Sequence, residues 1–382
     1  MITDYDYIVS GLGCAGMSFM HYLLESPLKN NKIRLIDSST KTKNDRTWCY
    51  WSKEPLKIHP KSKPIISWDK IKIKNSKECL TKDLDELKYY HVRSSDFYRE
   101  SLVKIKKHPN VTLLVDTVLS ITSNEHNTIT ITTKKKGAFT AKKVFNSIPL
   151  NSKLKKDLLR QVFVGWEVNT NENIFDPKVA TLMDFVDKSE LLEFFYVLPF
   201  DSQTALIEYT AYTTGFCDQE AMEQKISHYI KENYGVTNYT IQYKESGSIP
   251  MSTQSFIKKE HPNIIPLGTL GGCTKPSTGY TFYDIQKHCK QVVKQLSQAE
   301  YKSNFRWKRP FRFHFYDNVL LNIAKKWPSR LPNIFSEMFQ KNSAKAILNF
   351  LSEETSLSEE IQLLWKLKFG IFIKSLFHYE KH

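Results

Sequence analysis

Residues 264–293, IIPLGTLGGCTKPSTGYTFYDIQKHCKQVV, decide the fold once they are set beside residues 5–16, YDYIVSGLGCAG, at the far end of the chain. Each stretch is an apolar run, a glycine-rich turn and then a helical pattern. Two such turns, about 250 residues apart, predict a flavin dinucleotide held from both ends of the sequence. In the first, Tyr7, Ile8 and Val9 suit a buried parallel strand, and Met17, Met20, Leu23 and Leu24 recur at helical spacing. The glycines therefore fall where strand becomes helix. Gly11 permits the tight turn, Gly13 lets backbone N–H groups approach a pyrophosphate, and Gly16 lets helix and strand pack closely, with the helix N-terminus favouring the anion. A second strand over residues 32–37 ends in Asp37, placed roughly 20 residues after the last glycine, where a ribose-binding carboxylate belongs. In the second turn the strand covers 263–268, and Phe282, Ile285, Cys289, Val292 and Leu296 make one apolar helical face. Between them Gly268, Thr269, Gly271, Gly272, Pro276 and Gly279 form a loop able to wrap close to a flat ligand, since the glycines carry no side chain and Pro276 fixes the backbone ahead of the helix. A surface Ω-loop is the alternative reading.

Composition excludes several classes. The chain has 382 residues, 41% of them hydrophobic, enough for one large or two ordinary cores. No stretch approaches the roughly 18 uninterrupted apolar residues of a membrane span. The glycines at 11–16 interrupt the one candidate signal segment, so a cytoplasmic location is expected. Six scattered cysteines without CxxC spacing or a histidine cluster read as free thiols, with no metal site. A net charge of +15 is diffuse and lysine-rich, in keeping with biased base composition or with docking on an anionic bilayer surface. No basic helix or aromatic RNA-binding signature accompanies it, so nucleic acid is not an expected partner.

Between the two turns the chain is strand-like. Residues 111–115, 118–122, 128–133 and 143–147 suggest a β-meander near 111–148 inserted in a doubly wound sheet. Residues 180–185, 193–198 and 204–210 read as three strands of a second sheet, followed by a helix over about 218–233. Beyond 300 the pattern is helical, with Ile347, Leu348, Phe350 and Leu351 in one segment and Ile361, Leu364, Trp365, Phe372 and Leu376 in another. The expected fold class is α/β: a Rossmann-type dinucleotide domain over 1–160 and 255–300, an inserted β-sheet substrate domain over 161–254, and a helical region over 301–382.

The blocks DRTWCYW (45–51), QVFVGW (161–166), LIEYT (206–210), ESGSIPM (245–251) and GTLGGCTKPSTG (268–279) stand in order along nearly the whole chain. Together they resemble the bacterial lycopene cyclases. The resemblance implies an aromatic-hydroxylase-like flavoprotein that binds FAD, needs it reduced by NAD(P)H and yet makes no net redox change while converting the ψ ends of lycopene and other linear carotenoids to β-ionone rings. It also implies peripheral attachment to the inner face of the cytoplasmic membrane, beside other carotenoid-pathway enzymes, because the substrate stays in the bilayer. An FAD-dependent hydroxylase or reductase acting on a hydrophobic substrate is the alternative, and a non-catalytic carotenoid carrier a third.

Cyclisation needs an acid held protonated beside an alkene, which is a very weak base. Glu208 is the candidate: it shares a strand face with Leu206 and Thr210, and burial there would keep it neutral. By resemblance it is the first acid of a motif that often has two adjacent acids. Tyr209 holds the second place here, which puts a relay between adjacent carboxylates in doubt. Asp184 and Glu245 are the other acids in family-like blocks, either able to receive the ring proton. Trp48, Trp51, Trp166 and Tyr209 are the candidate substrate contacts, the tryptophans through cation–π attraction. Arg46 and Arg93 are candidate phosphate or flavin contacts. Many flavin hydroxylases carry an aspartate after the glycine of the second turn; Thr269 follows Gly268 here, so a hydroxyl would meet the ribityl chain. Arg306, Lys308, Arg309 and Arg312, set among Phe305, Trp307, Phe311 and Phe313, mark the expected membrane-docking surface, with a lid over the cavity as the competing role.

Overall fold

The computed structural model describes residues 3–124, 127–150, 157–187, 189–257, 261–298 and 309–382. Among them, one seven-stranded sheet runs in the order Val111–Val115, Ile33–Asp37, Tyr5–Ser10, Gly137–Asn146, Ile129–Thr133, Val118–Ser123, with Ile264–Pro266 also paired to Gly137–Asn146. The pairs from Val111–Val115 to Gly137–Asn146, and that of Ile264–Pro266, are parallel; the last two strands are antiparallel. The helices Cys14–Leu24 and Phe282–Leu296 pack on one face, around Val9, Leu35 and Phe145. Val118, Ile129 and Ile131 of the antiparallel strands pack with Ile8, Ile36 and Val144 on the other.

This topology explains how two turns so far apart in sequence meet. Ser10 and Pro266 are both in register with Asn146, on strands parallel to the one that carries it. Both chains therefore leave the sheet at the same end, the carboxyl end where α/β sheets bind ligands. The meander is smaller than the alternation of residues 111–148 predicts. Val111–Val115 is the outer parallel strand, and the antiparallel strands start at Val118.

A second seven-stranded sheet has the order Tyr239–Pro250, Arg160–Thr170, Thr204–Thr213, Leu192–Pro199, Val179–Phe185, Lys70–Lys74, Cys79–Asp83. The last two strands come from a stretch in which the sequence showed no pattern; their lysine-rich alternation KIKIK buries only Ile71 and Ile73. A third, small sheet joins Thr47–Ser52, Lys88–Arg93 and Ser67–Trp68.

The period of two decides which side chains of the second sheet face the cavity. Ala205, Ile207, Tyr209 and Ala211 pack with Met222, Ile226 and Ile230 of the helix Gln219–Tyr234. Leu206 and Tyr212 point the other way, into the core built with the C-terminal helices. The covering helix is well bounded: Asp218 accepts the Glu220 N–H, and Gly235 ends the helix at φ +69°. The C-terminal region is helical as expected, with Phe311–Lys326, Leu331–Lys341, Ala344–Leu351, Leu357–Leu364 and Gly370–Phe377. Ser356 and Glu359 form a reciprocal capping box on the fourth of these.

Candidate functional site

The three glycines of the first turn meet three different demands. Gly11 has φ +90°, and a Cβ there would lie 2.3 Å from Ser147 Oγ. At Gly16 a Cβ would lie 2.0 Å from the Gly11 carbonyl oxygen, which fixes helix against strand. Gly13 is different. Nothing lies within 4 Å of where its Cβ would be, and it opens on the main cavity at the head of helix Cys14–Leu24, which has no side-chain cap. The turn is thus closed where it must pack and open where a ligand would approach. Asp37 lies beside it, buried, accepting the N–H groups of Leu12 (2.7 Å) and Ser39 (2.8 Å). From the second turn Gly268, Thr269 and Gly279 line the same cavity. Gly268 has φ +63°, and a Cβ there would lie 2.9 Å from that of Ala15, so the two turns touch through a position without a side chain. A pyrophosphate and ribose set between an uncapped helix head, an open glycine and a buried strand-end carboxylate suits these residues.

The cavity, about 570 Å³, is lined by Gly13, Lys41 and Arg46 and also by Glu208, Tyr212 and Phe339. Glu208 and Asp45 are the acids that line it among the described residues. Solvent reaches Glu208 only partly. Burial foremost, then the nearby Glu245, pushes its carboxyl up to about 8, against the opposing hydrogen bond from the Thr210 hydroxyl to Oε1 at 2.7 Å. Burial thus favours the protonated form of Glu208, on the wall of a cavity that the glycine turns also line. Around it Tyr89, Tyr196 and Tyr280 present phenols whose ionisation burial suppresses, and Tyr89 and Tyr196 share a hydrogen bond of 2.7 Å.

The family described as "Lycopene cyclase protein" matches residues 6–377. The chain belongs to the lycopene cyclase family. No curated protein matches it by sequence. Among solved structures it is similar to a geranylgeranyl bacteriochlorophyll reductase-like protein from Thermoplasma acidophilum (13% identity, TM-score 0.65, 98% of each chain covered). It is also similar to a flavoprotein/dehydrogenase from Cytophaga hutchinsonii (11% identity, TM-score 0.65, covering 98% of this chain and 99% of the other). A third likeness is to the halogenase PltM in complex with phloroglucinol and FAD (12% identity, TM-score 0.60, covering 97% and 86%). At such identities the likeness establishes the fold, that of the flavoproteins, and nothing finer.

Within this lycopene cyclase family member, several side chains singled out from sequence lie away from the cavity. Asp184 is on the helix-covered side, bonded to Lys74 (3.1 Å) and the Tyr229 hydroxyl (2.8 Å). Trp166 and Tyr209 are on that side too, by the same strand alternation that puts Glu208 in the cavity; Lys225 donates to the Tyr209 hydroxyl at 2.7 Å. Trp51 is a core residue donating to Ser352 Oγ at 2.7 Å, which leaves Trp48 as the predicted aromatic that lines the cavity. Arg93 makes a two-pronged ion pair with Glu167 at 2.8 and 3.0 Å and so ties Lys88–Arg93 to the second sheet instead of facing a phosphate. Arg46 does line the cavity. Gly271, Gly272 and Pro276 face a second, smaller cavity behind the loop, where a Cβ on Gly271 would meet the Pro266 carbonyl and His288, both at 2.8 Å. Their part is the shape of the loop. Glu245 is buried and accepts from Tyr243 at 3.2 Å.

The expected docking cluster is also redistributed. Phe305, Arg306, Trp307 and Lys308 lie outside the described residues. Arg309 is buried between Glu353 and Asp317, Arg312 pairs with Glu360, and Phe313 is fully buried, while Phe311 is 82% exposed. The helix Leu331–Lys341 instead supplies Phe335, Met338 and Phe339 to the cavity wall.

Sequence reasoning missed Lys275. It is 3% exposed, in salt bridges of 3.1 Å with both Asp317 and Glu353, while Ser277 donates to Asp317 and Tyr212 to the Ser277 carbonyl. This network fastens the second glycine loop to the C-terminal helices. Its signal was a lysine inside an otherwise neutral, small-residue loop.

Proposed function

We propose that the protein closes β-ionone rings on the ψ ends of lycopene, an isomerisation without net redox change that requires reduced FAD. The observation that carries this reading is the place of Glu208, a carboxyl whose protonated form burial favours, on the wall of a cavity that both glycine turns also line. Glu208 donates its proton to the terminal double bond, giving a tertiary cation, and the neighbouring double bond attacks it to form the ring. The ring cation then loses a proton and gains the ring double bond. Glu208, now a carboxylate on the same wall, takes a proton back, so acid and substrate end with their original proton counts. Tyr89, Tyr196 and Tyr280 stay un-ionised, and their π-faces favour the cation without offering a nucleophilic phenolate. A bound flavin in its reduced, anionic form would add negative charge where the cation develops, and NAD(P)H would serve to produce that form.

Gly11, Gly13, Gly16, Asp37, Arg46, Gly268, Thr269 and Gly279 are the residues proposed to hold FAD. A C40 hydrocarbon remains in a bilayer, so we place the protein at the cytoplasmic face of the membrane, drawing in one end of the substrate at a time. The net charge of +15 and the exposed Phe311, Trp365 and Phe377 on the C-terminal helices support such docking. The test is expression in a lycopene-accumulating bacterium, with the pigment separated by chromatography and weighed. Cyclisation gives a less red pigment of unchanged mass. A product of altered mass, with NAD(P)H consumed in proportion, would mean a flavin-dependent hydroxylase or reductase instead.

A further inference from the structure

Strand alternation sends the residue after Glu208 to the opposite face, as Tyr209 shows, so an adjacent position supplies no partner inside the cavity. The structure supplies a second carboxyl by another route. Gly165, in the middle of Arg160–Thr170, is in register with Glu208 on one neighbouring strand and with Glu245 on the other. Residues in register point to the same face, so both glutamates flank the one position between them that has no side chain. A Cβ placed at 165 would be 3.2 Å from Glu245 Cγ and 3.5 Å from Glu208 Cβ. Those two atoms are therefore less than about 7 Å apart, and no side chain at 165 separates the carboxyls. Glu245 is 6% exposed, and Tyr243 donates to its Oε2 at 3.2 Å.

We propose that Glu245 and Glu208 form a proton-sharing pair across the gap left by Gly165, in which Glu245 holds the negative charge and thereby keeps the proton on Glu208. This rests on the reading of Glu208 as the cyclising acid. The division of roles follows from the surroundings. Burial, the largest influence, raises the Glu245 carboxyl overall; hydrogen bonds from Thr47 and Tyr243 and the charge of Arg46 oppose it and favour the charged form, a help that Glu208 lacks. Glu208 has the Thr210 hydroxyl on its own strand, the neutral Tyr196 in register on the next, and Cys49 and Tyr280 nearby, none of them a cation. Asp45, beside Tyr243, and Glu167, two residues from Gly165 on the same strand face and paired with Arg93, are the other acids near the pair among the described residues. Glu245 does not line the cavity, so it is a positioning residue acting through Glu208.

The test compares the pH dependence of lycopene cyclisation in the flavin-loaded native protein and in Glu245→Gln. A like charge at this range raises a carboxyl by about 1–3 pH units, so its removal should move the alkaline limb of the profile down by about one unit or more, roughly tenfold in rate on that limb. Glu245→Met, which removes the same charge, should move the limb the same way and serves if Glu245→Gln does not accumulate folded. The infrared C=O band of the protonated carboxyl, identified by its loss in Glu208→Gln, should titrate at lower pH in Glu245→Gln whether or not lycopene is the substrate. Superimposable profiles and titrations in the native protein and the folded variants would overturn the pair. An absence of cyclisation in the native protein, with the infrared shift still present, would remove the substrate reading and leave the pair standing.

Discussion

Replacing Glu208 with glutamine keeps the shape of the side chain and an oxygen for the Thr210 hydroxyl, and removes only the proton that the reaction needs. Loss of a general acid costs about 100- to 10,000-fold, and an alkene, as a poor base, belongs at the severe end. A second effect is independent of turnover. The folded protein raises this carboxyl from 4.5 to about 8. A raised carboxyl pKa means that the folded chain binds the proton more tightly than the unfolded one. Its contribution is fully present below the unfolded value and is lost as pH rises through 8. At about 1.36 kcal/mol per unit, the native chain loses at most about 5 kcal/mol between pH 4.5 and 9, an upper bound because the cavity admits some water. Glu208→Gln has no such loss. Thermal melting of both proteins from pH 6 to pH 9 should therefore show the variant gaining on the native chain as pH rises. A constant difference across that range would refute the claim that Glu208 is buried and neutral.

Other consequences follow from the same packing. Gly16→Ala should abolish flavin retention and strongly destabilise the fold, since its Cβ would lie 2.0 Å from a backbone oxygen that cannot yield; flavin absorbance after gel filtration reads this. Lys275→Met should cost about 3–5 kcal/mol in denaturant unfolding, because Asp317 and Glu353 would keep their burial and lose a cation. Asp317 and Glu353 are both held below the ordinary carboxylate range, Asp317 by Lys275 and Arg309, Glu353 first by its Arg309 hydrogen bonds. Their stabilisation is complete above about pH 4–5 and lost as pH falls through the depressed values, so acid unfolding should begin nearer neutrality in Lys275→Met. Asp184→Asn should retain cyclisation within about threefold, since its carboxylate serves Lys74 and Tyr229 on the far side of the sheet.

The parts of this architecture that repeat a local rule were legible in the sequence. Each glycine of the first turn stands at a spacing that only a strand-to-helix crossing explains, and the alternation in LIEYT put Glu208 on the face of Leu206 and Thr210. Where side chains meet partners from distant strands, local pattern offers no purchase. Arg93 reads like a phosphate ligand until Glu167, 74 positions away, takes its guanidinium. Trp166 and Asp184 lie in family-like blocks, but which face of the sheet they occupy depends on register, and their blocks do not state it. The strands at 70–74 and 79–83 escaped because one side of each is open to water and rich in charge. Gly165 carries no signal in the sequence, since a lone glycine in a strand has meaning only when its two neighbours across the sheet are known.

The most direct measurement of the central claim is the mass of the ring product formed in D2O with the native, flavin-loaded protein and lycopene in vesicles. Protonation of the alkene by Glu208 predicts one deuterium gained for every ring closed when the proton it takes back exchanges with solvent between turnovers, and none acquired when deuterium is supplied on the nicotinamide in ordinary water. A product free of solvent deuterium, or one labelled from the reductant, would contradict proton-initiated cyclisation by this carboxyl.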